Sequence, residues 1–177
     1  MRIDSFSLRL SDPLATSAGT IEARDGFTVS YRHRGHSGVG EATPLAGWTE
    51  SLEECRGALD RAAAAADEDA SAESGTGHGA ALLELDAAET PAARHGFASA
   101  LLDADARADG VPLYEWFAPD AGTVRSVPVN ATLGDAPVDE TVAAAEDAVE
   151  SGFGCLKIKV GARPVEEDIE RVRGVRE

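Results

Sequence analysis

The amino-acid sequence predicts an α+β domain over residues 1–120, followed by the opening of an α/β domain over residues 121–177. Two patterns carry this expectation. Up to about residue 120, period-two apolar alternation comes first and helical stretches follow as a block, the order of an α+β unit. Beyond it, strand, helix, strand and helix alternate, the order of βαβ units with a parallel sheet. A third observation concerns chemistry. The only two lysines, Lys157 and Lys159, stand one residue apart in "GCLKIKVG" (154–161), and the other 14 basic residues are arginine.

Taken in order, Ile3, Phe6, Leu8 and Leu10 supply the apolar positions of a strand over 2–10. "DPLATSAGTIEARDG" (12–26) is polar and small and is expected as a mobile loop. "FTVSYRHR" (27–34) alternates again, "GHSG" turns, and "VGEAT" (39–43) returns as a strand. Thr49 or Ser51 can cap a helix that runs to about Ala66. "DEDASAESGTGHG" (67–79) reads as a surface loop. A second helical stretch covers 80–89. A third, 91–110, opens with Pro91 at its first position and closes at Gly110.

"VPVNATLG" (127–134) then predicts a strand, 137–154 a helix ending at Gly152 or Gly154, 155–161 a strand, and 163–177 a helix. Two strands and two helices cannot bury both faces of a parallel sheet. The sequence is therefore expected to be C-terminally incomplete.

Apolar residues make up 43% of the chain, enough for a core. Net charge is −16, from 32 acidic and 16 basic residues. This argues against nucleic acid, whose phosphates need a basic face, and equally against an anionic membrane. Acid-rich, lysine-poor, alanine-rich composition suggests a high-salt cytoplasm, where screening weakens anionic self-repulsion. Cys55 and Cys155 lie in no metal-spaced cluster and are expected as free thiols in a reducing compartment. "MRIDSFSLRLSDP" lacks the apolar core of a signal peptide. No apolar run approaches the ~20 residues that span a bilayer. A soluble, cytoplasmic protein is expected.

In a strand, residues two apart share a face, so Lys157 and Lys159 point one way and Leu156, Ile158 and Val160 the other. The lysine backbones stand about 6.6 Å apart, from a rise of ~3.3 Å per residue. In an α/β barrel the apolar set would face the helix ring and the lysines the interior. Gly161 marks the C-terminal strand end, where barrel active sites are built. Two ammonium groups this close disfavour each other's charged form, and a lysine nearer neutrality can act as a general base. A solvated pair protecting an edge strand is the plainer alternative.

"CLKIKVG" resembles the K-x-K motif on the second barrel strand of the enolase superfamily, in which a Lys base works with Mg²⁺. "GEATPLAGWTES" (40–51) resembles the capping-domain loop that closes over substrate. "AARHGFASALLDADARADGVPLYEWF" resembles the helix and link into the barrel, and "VPVNATLG" the first barrel strand of o-succinylbenzoate synthases. The resemblance implies an α+β capping domain over 1–120. After it, 121–177 would be the first two β/α units of a modified (β/α)₈, TIM-type barrel.

The implied reaction is proton removal next to a carboxylate of a small-molecule substrate, then water loss, as in menaquinone biosynthesis. Dipeptide epimerases, N-acylamino acid racemases and muconate cycloisomerases share the motif and remain alternatives. By resemblance, Lys159 is base and then acid, and Lys157 tunes it and orients the carboxylate. Thr132 contacts substrate and Asn130 sits deeper on the same face. Thr16, Ser17, Gly19 and Thr20, with Leu45, Gly47 and Trp48, form the lid and specificity pocket. Mg²⁺ or Mn²⁺ is implied, but its carboxylate ligands belong to the third, fourth and fifth strands and a further lysine to the sixth. No metal ligand is assigned here, and the 177 residues are expected to be inactive alone.

Other features carry less. "GTGHG" lacks the spacing of a phosphate loop. Glu41 is expected to fix its loop, His95 to pack or cap, and His33 and His36 have no third ligand near in sequence. A non-catalytic α+β binding module is the alternative from another class.

Overall fold

The structure, a computed structural model, describes residues 1–16, 19–70, 78–120, 122 and 125–177. It divides into two compact units, Met1–Pro13 with Ile21–Thr123, and Leu14–Thr20 with Val124–Glu177.

Three strands, β1 (Arg2–Thr16), β2 (Gly19–His33) and β3 (His36–Ala42), form a sheet in that order. The expected loop over 12–26 is therefore mostly strand. Its small polar side chains hide the alternation, but ladder pairing uses the backbone and tolerates them. Strands β2 and β3 pair antiparallel from Phe27↔Ala42 to His33↔His36. The turn is Arg34–Gly35, at φ 49° and 82°, rather than the expected "GHSG". Both residues are left-handed, as a tight two-residue hairpin requires. Arg34 tolerates this conformation while its guanidinium donates to Asp109 at 2.7 Å and Asp105 at 3.3 Å.

Helix α1 (Leu52–Ala70) opens on a reciprocal cap. The Glu54 amide donates to Ser51 Oγ at 3.2 Å, and the Ser51 amide to Glu54 Oε2 at 2.8 Å. Ser51, not Thr49, is the cap, because glutamate three residues on can return the bond. Helix α2 (His78–Leu83) is shorter than expected. Its continuation becomes a turn in which Asp86 Oδ1 accepts the amides of Ala88 and Glu89. The expected loop 67–79 is helical at 67–70 and from His78, and 71–77 lie outside the described residues. Helix α3 (Pro91–Ala108) is followed by Gly110 at φ 74°, and α4 (Leu113–Phe117) adds a short turn of helix.

The core of this unit joins Phe27, Val29 and Tyr31 of the sheet to Cys55, Ala58, Leu59 and Ala62 of α1 and to Ala93, Phe97 and Ala100 of α3. Strand β3 lies backbone to backbone on α3. A Cβ at Gly40 would overlap Gly96 and Ala100, one at Gly38 would overlap Ala100 and Ala104, and one at Gly96 would stand 2.8 Å from Ala42 Cβ. Small residues two apart on the strand meet small residues four apart on the helix.

The second unit holds β4 (Ala131–Leu133), α5 (Val138–Glu150), β5 (Leu156–Ile158) and α6 (Val165–Arg176). Strands β4 and β5 are parallel, in register Ala131↔Leu156, Thr132↔Lys157 and Leu133↔Ile158. Both strands are shorter than the expected 127–134 and 155–161. Alternation marks residues that suit a strand, whereas the described ladder spans only three pairs. Helices α5 and α6 end earlier than expected, at Glu150 and Arg176, with Gly152 turning at φ 92°. No described helix is long and apolar enough to cross a membrane.

Candidate active site

The parallel pairing brings four of the candidate residues together. Thr132 stands opposite Lys157, so their side chains share one sheet face. Asn130 Nδ2 donates to Thr132 Oγ1 at 3.2 Å, which puts it on that face too. Lys159 follows by two-residue alternation, and its N–H donates to the Leu133 carbonyl at 3.0 Å. Behind them Leu133 is buried, and Ala131, Leu156 and Ile158 are half-buried. Val160 departs from its expected place in this apolar back. It is 60% exposed, beyond the end of β5, next to Gly161 at φ 97°.

A buried polar cluster closes the C-terminal ends of both strands. Arg171 of α6 is 1% exposed. Its Nη1 donates to the Lys159 carbonyl at 3.0 Å and its Nη2 to the Gly134 carbonyl at 2.6 Å. Its Nε donates to Thr141 Oγ1 of α5 at 3.2 Å, and Asp168 Oδ1 accepts from Nη1 at 2.7 Å. The other Asp168 oxygen accepts the Gly161 amide at 2.7 Å. That amide and then the Arg171 guanidinium hold the Asp168 carboxyl below its ordinary value. The sequence reading missed Asp168 and Arg171. Their signal was an acid and a base three residues apart, on one helix face just after the lysine strand.

The capping unit positions a second set. From Leu45 to Thr49 the chain folds on itself. The Leu45 carbonyl accepts the amides of Trp48 and Thr49 at 2.9 Å, and Thr49 Oγ1 accepts the Leu45 amide at 2.8 Å. Gly47 supplies φ 85°, and Trp48 is left 81% exposed at the tip. The next residue, Glu50, is buried, and its carboxylate accepts the amides of Ala92 and Ala93 at 3.1 and 2.8 Å. It caps α3 from a distant part of the chain and ties the turn to that helix. Burial, and then the Glu50 charge, push the Cys55 thiol up to about 12, which makes it inert. Glu41 accepts the Thr43 hydroxyl within its own strand end.

Of the remaining candidates, Thr16 ends β1, while Gly19 at φ 129° and exposed Thr20 begin β2. Ser17 lies outside the described residues. Mg²⁺ asks for a near-octahedral set of oxygen donors. Among the described residues no group of three or more His, Cys, Asp or Glu side chains could hold a metal. The described residues do not fit the metal, and no step is routed through one.

An α+β domain whose chain continues into parallel β/α units is the two-part plan of the enolase superfamily. Residues 3–117 match the N-terminal domain of the mandelate racemase / muconate lactonizing enzyme family, and the chain belongs to that family. An L-Lys-D/L-Arg epimerase of Desulforapulum autotrophicum is 44% identical over 86 residues, covering 48% of this chain and 23% of that protein. One of Methylococcus capsulatus is 34% identical over 179 residues, covering 95% of this chain and 46% of that protein. Among solved structures, the Enterococcus faecalis dipeptide epimerase, complexed with Mg and L-Leu-L-Tyr, aligns at a TM-score of 0.79 and 25% identity. That alignment covers 99% of this chain and 48% of the other. The chain thus spans less than half the length of these relatives.

Proposed function

We propose that the protein carrying this chain is a dipeptide epimerase, acting on the carbon next to a carboxylate. The face shared by Asn130, Thr132, Lys157 and Lys159 at the ends of two parallel strands carries the proton chemistry. The choice of epimerisation over dehydration rests on the L-Lys-D/L-Arg epimerase similar to 95% of this chain. In this reading, residues 1–120 cap the site and 121–177 open the barrel.

Lys159 Nζ takes the α-proton, and the electron pair of the C–H bond moves into the carboxylate to give an enediolate. Lys157 holds the carboxylate by charge, and Thr132 contacts the substrate. A second acid, the role of the further lysine that the resemblance puts on the sixth barrel strand, returns a proton to the opposite face and gives the other epimer. Leu45, Gly47 and Trp48, with Thr16, Ser17, Gly19 and Thr20, are assigned to substrate selection on the resemblance. The setting is cytoplasmic.

The experiment is to incubate the full-length protein in D₂O with dipeptides, Lys- and Arg-containing ones included. Deuterium at the α-carbon and the appearance of the second epimer are expected. A second reading, o-succinylbenzoate synthase, is favoured by "VPVNATLG" (127–134). Dehydration of the menaquinone precursor without any dipeptide exchange would establish it instead.

A further inference from the structure

We propose that Arg171 is a positioning residue for the base, clamping the Lys159 backbone at the mouth of the site. The inference rests on the reading of Lys159 as base. The described ladder ends at Leu133↔Ile158, one residue before Lys159. Arg171 Nη1 binds the Lys159 carbonyl, while Nη2 binds the carbonyl of Gly134, two residues beyond Thr132. One planar guanidinium thereby sets the spacing between the exits of β4 and β5, which carry the base and the substrate-contacting hydroxyl. Both ends of the Lys159 peptide geometry are then held, the amide by Leu133 and the carbonyl by Arg171.

The guanidinium is itself locked. Thr141 Oγ1 accepts from Nε, Asp168 balances its charge at 2.7 Å, and Asp135 stands 3.8 Å away. A buried arginine is costly unless it is paired and hydrogen-bonded, and here each guanidinium nitrogen has a partner and Asp168 meets the charge. Lysine at this position would keep the charge but could not reproduce the fork that spans two carbonyls. Lys157, paired in mid-ladder with Thr132, has no such tie and provides an internal control.

The test uses stereochemistry. A base on one face of the α-carbon removes the proton of one epimer only. In the full-length enzyme, Arg171→Lys should slow α-deuterium exchange of one epimer by about 10–100-fold, the scale of a displaced catalytic group. Exchange of the other epimer should change far less. Asp168→Asn should give a smaller loss with the same one-sidedness, and it decides the matter if Arg171→Lys fails to fold. Equal losses for both epimers would mark a merely structural role and overturn the proposal.

If the wild-type protein exchanges no dipeptide, the functional reading fails. The clamp is then judged by acetylation of Lys159 relative to Lys157 with an N-hydroxysuccinimide ester, read by peptide mass spectrometry. A several-fold change in that ratio in folded Arg171→Lys supports the clamp, and an unchanged ratio refutes it.

Discussion

Lys157 and Lys159 carry the same functional group but are held differently. Lys157 sits in mid-ladder opposite Thr132, whereas Lys159 lies past the last pair and takes its carbonyl partner from a helix. The Lys159 side chain is the group to which the proton chemistry is assigned, by its place on the face shared with Thr132 and Lys157. Lys159→Ala in the full-length protein should therefore cost about 10²–10⁴-fold in turnover, with circular dichroism checking that the variant folds. Undiminished turnover would rule out the proposed role as base.

Asp168 makes the opposite prediction. Its folded carboxyl titrates below the ordinary value, so on acidification the unfolded chain takes up the proton first. Its stabilising contribution is complete above about pH 4 and is lost as pH falls through the lower folded value. Asp168→Asn should flatten the loss of stability as pH falls below about 4 in a denaturation series. The lysines were legible because two of them stand alone in the sequence. Arg171 was not, since it is one arginine among 14, and only folding shows that its donors end on β4 and β5.

The β3–α3 contact explains why "GVGEA" needs its glycines. With Gly38 and Gly40 the strand backbone approaches α3 closely enough that any side chain would overlap helix backbone. Backbone cannot swing aside as a flexible side chain can, so Gly40→Ala should cost about 1–3 kcal/mol or more. Urea denaturation checks this, and a neutral result would mean that β3 can lift from α3. Glu50 is a second joint. Glu50→Ala would leave two amides at the α3 N-terminus unmet in a buried place, a loss of about 1–3 kcal/mol by the same measurement.

The existence of every helix but the short α4, the capping residues and the strand-helix alternation were readable because local chemistry sets them. Pro91 and the Ser51–Glu54 pair are examples. Strand limits were not. Residues 19–26 look like loop yet pair, and 127–130 alternate yet stay outside the ladder, because pairing depends on a partner distant in sequence.

Charge acts over the chain at large. With 32 acidic residues and 16 basic ones, the acids outnumber the bases two to one. Many bases are used: Arg34 with Asp109, Arg56 with Asp60, Arg107 with Asp103 and Arg163 with Asp135 are ion pairs. Added salt weakens these pairs and also screens the surplus acids from one another. Exposed pairs are each worth only about 0–1 kcal/mol, so their weakening is a small loss. The unpaired surplus repels over many more contacts, and between 0.1 M and 1 M salt the screening length falls from about 10 Å to about 3 Å. Repulsion should therefore dominate the balance. The thermal midpoint of the full-length protein should rise on going from 0.1 M to 1 M KCl. A falling midpoint would mean that the ion pairs outweigh the surplus, and would remove the basis for a high-salt habitat.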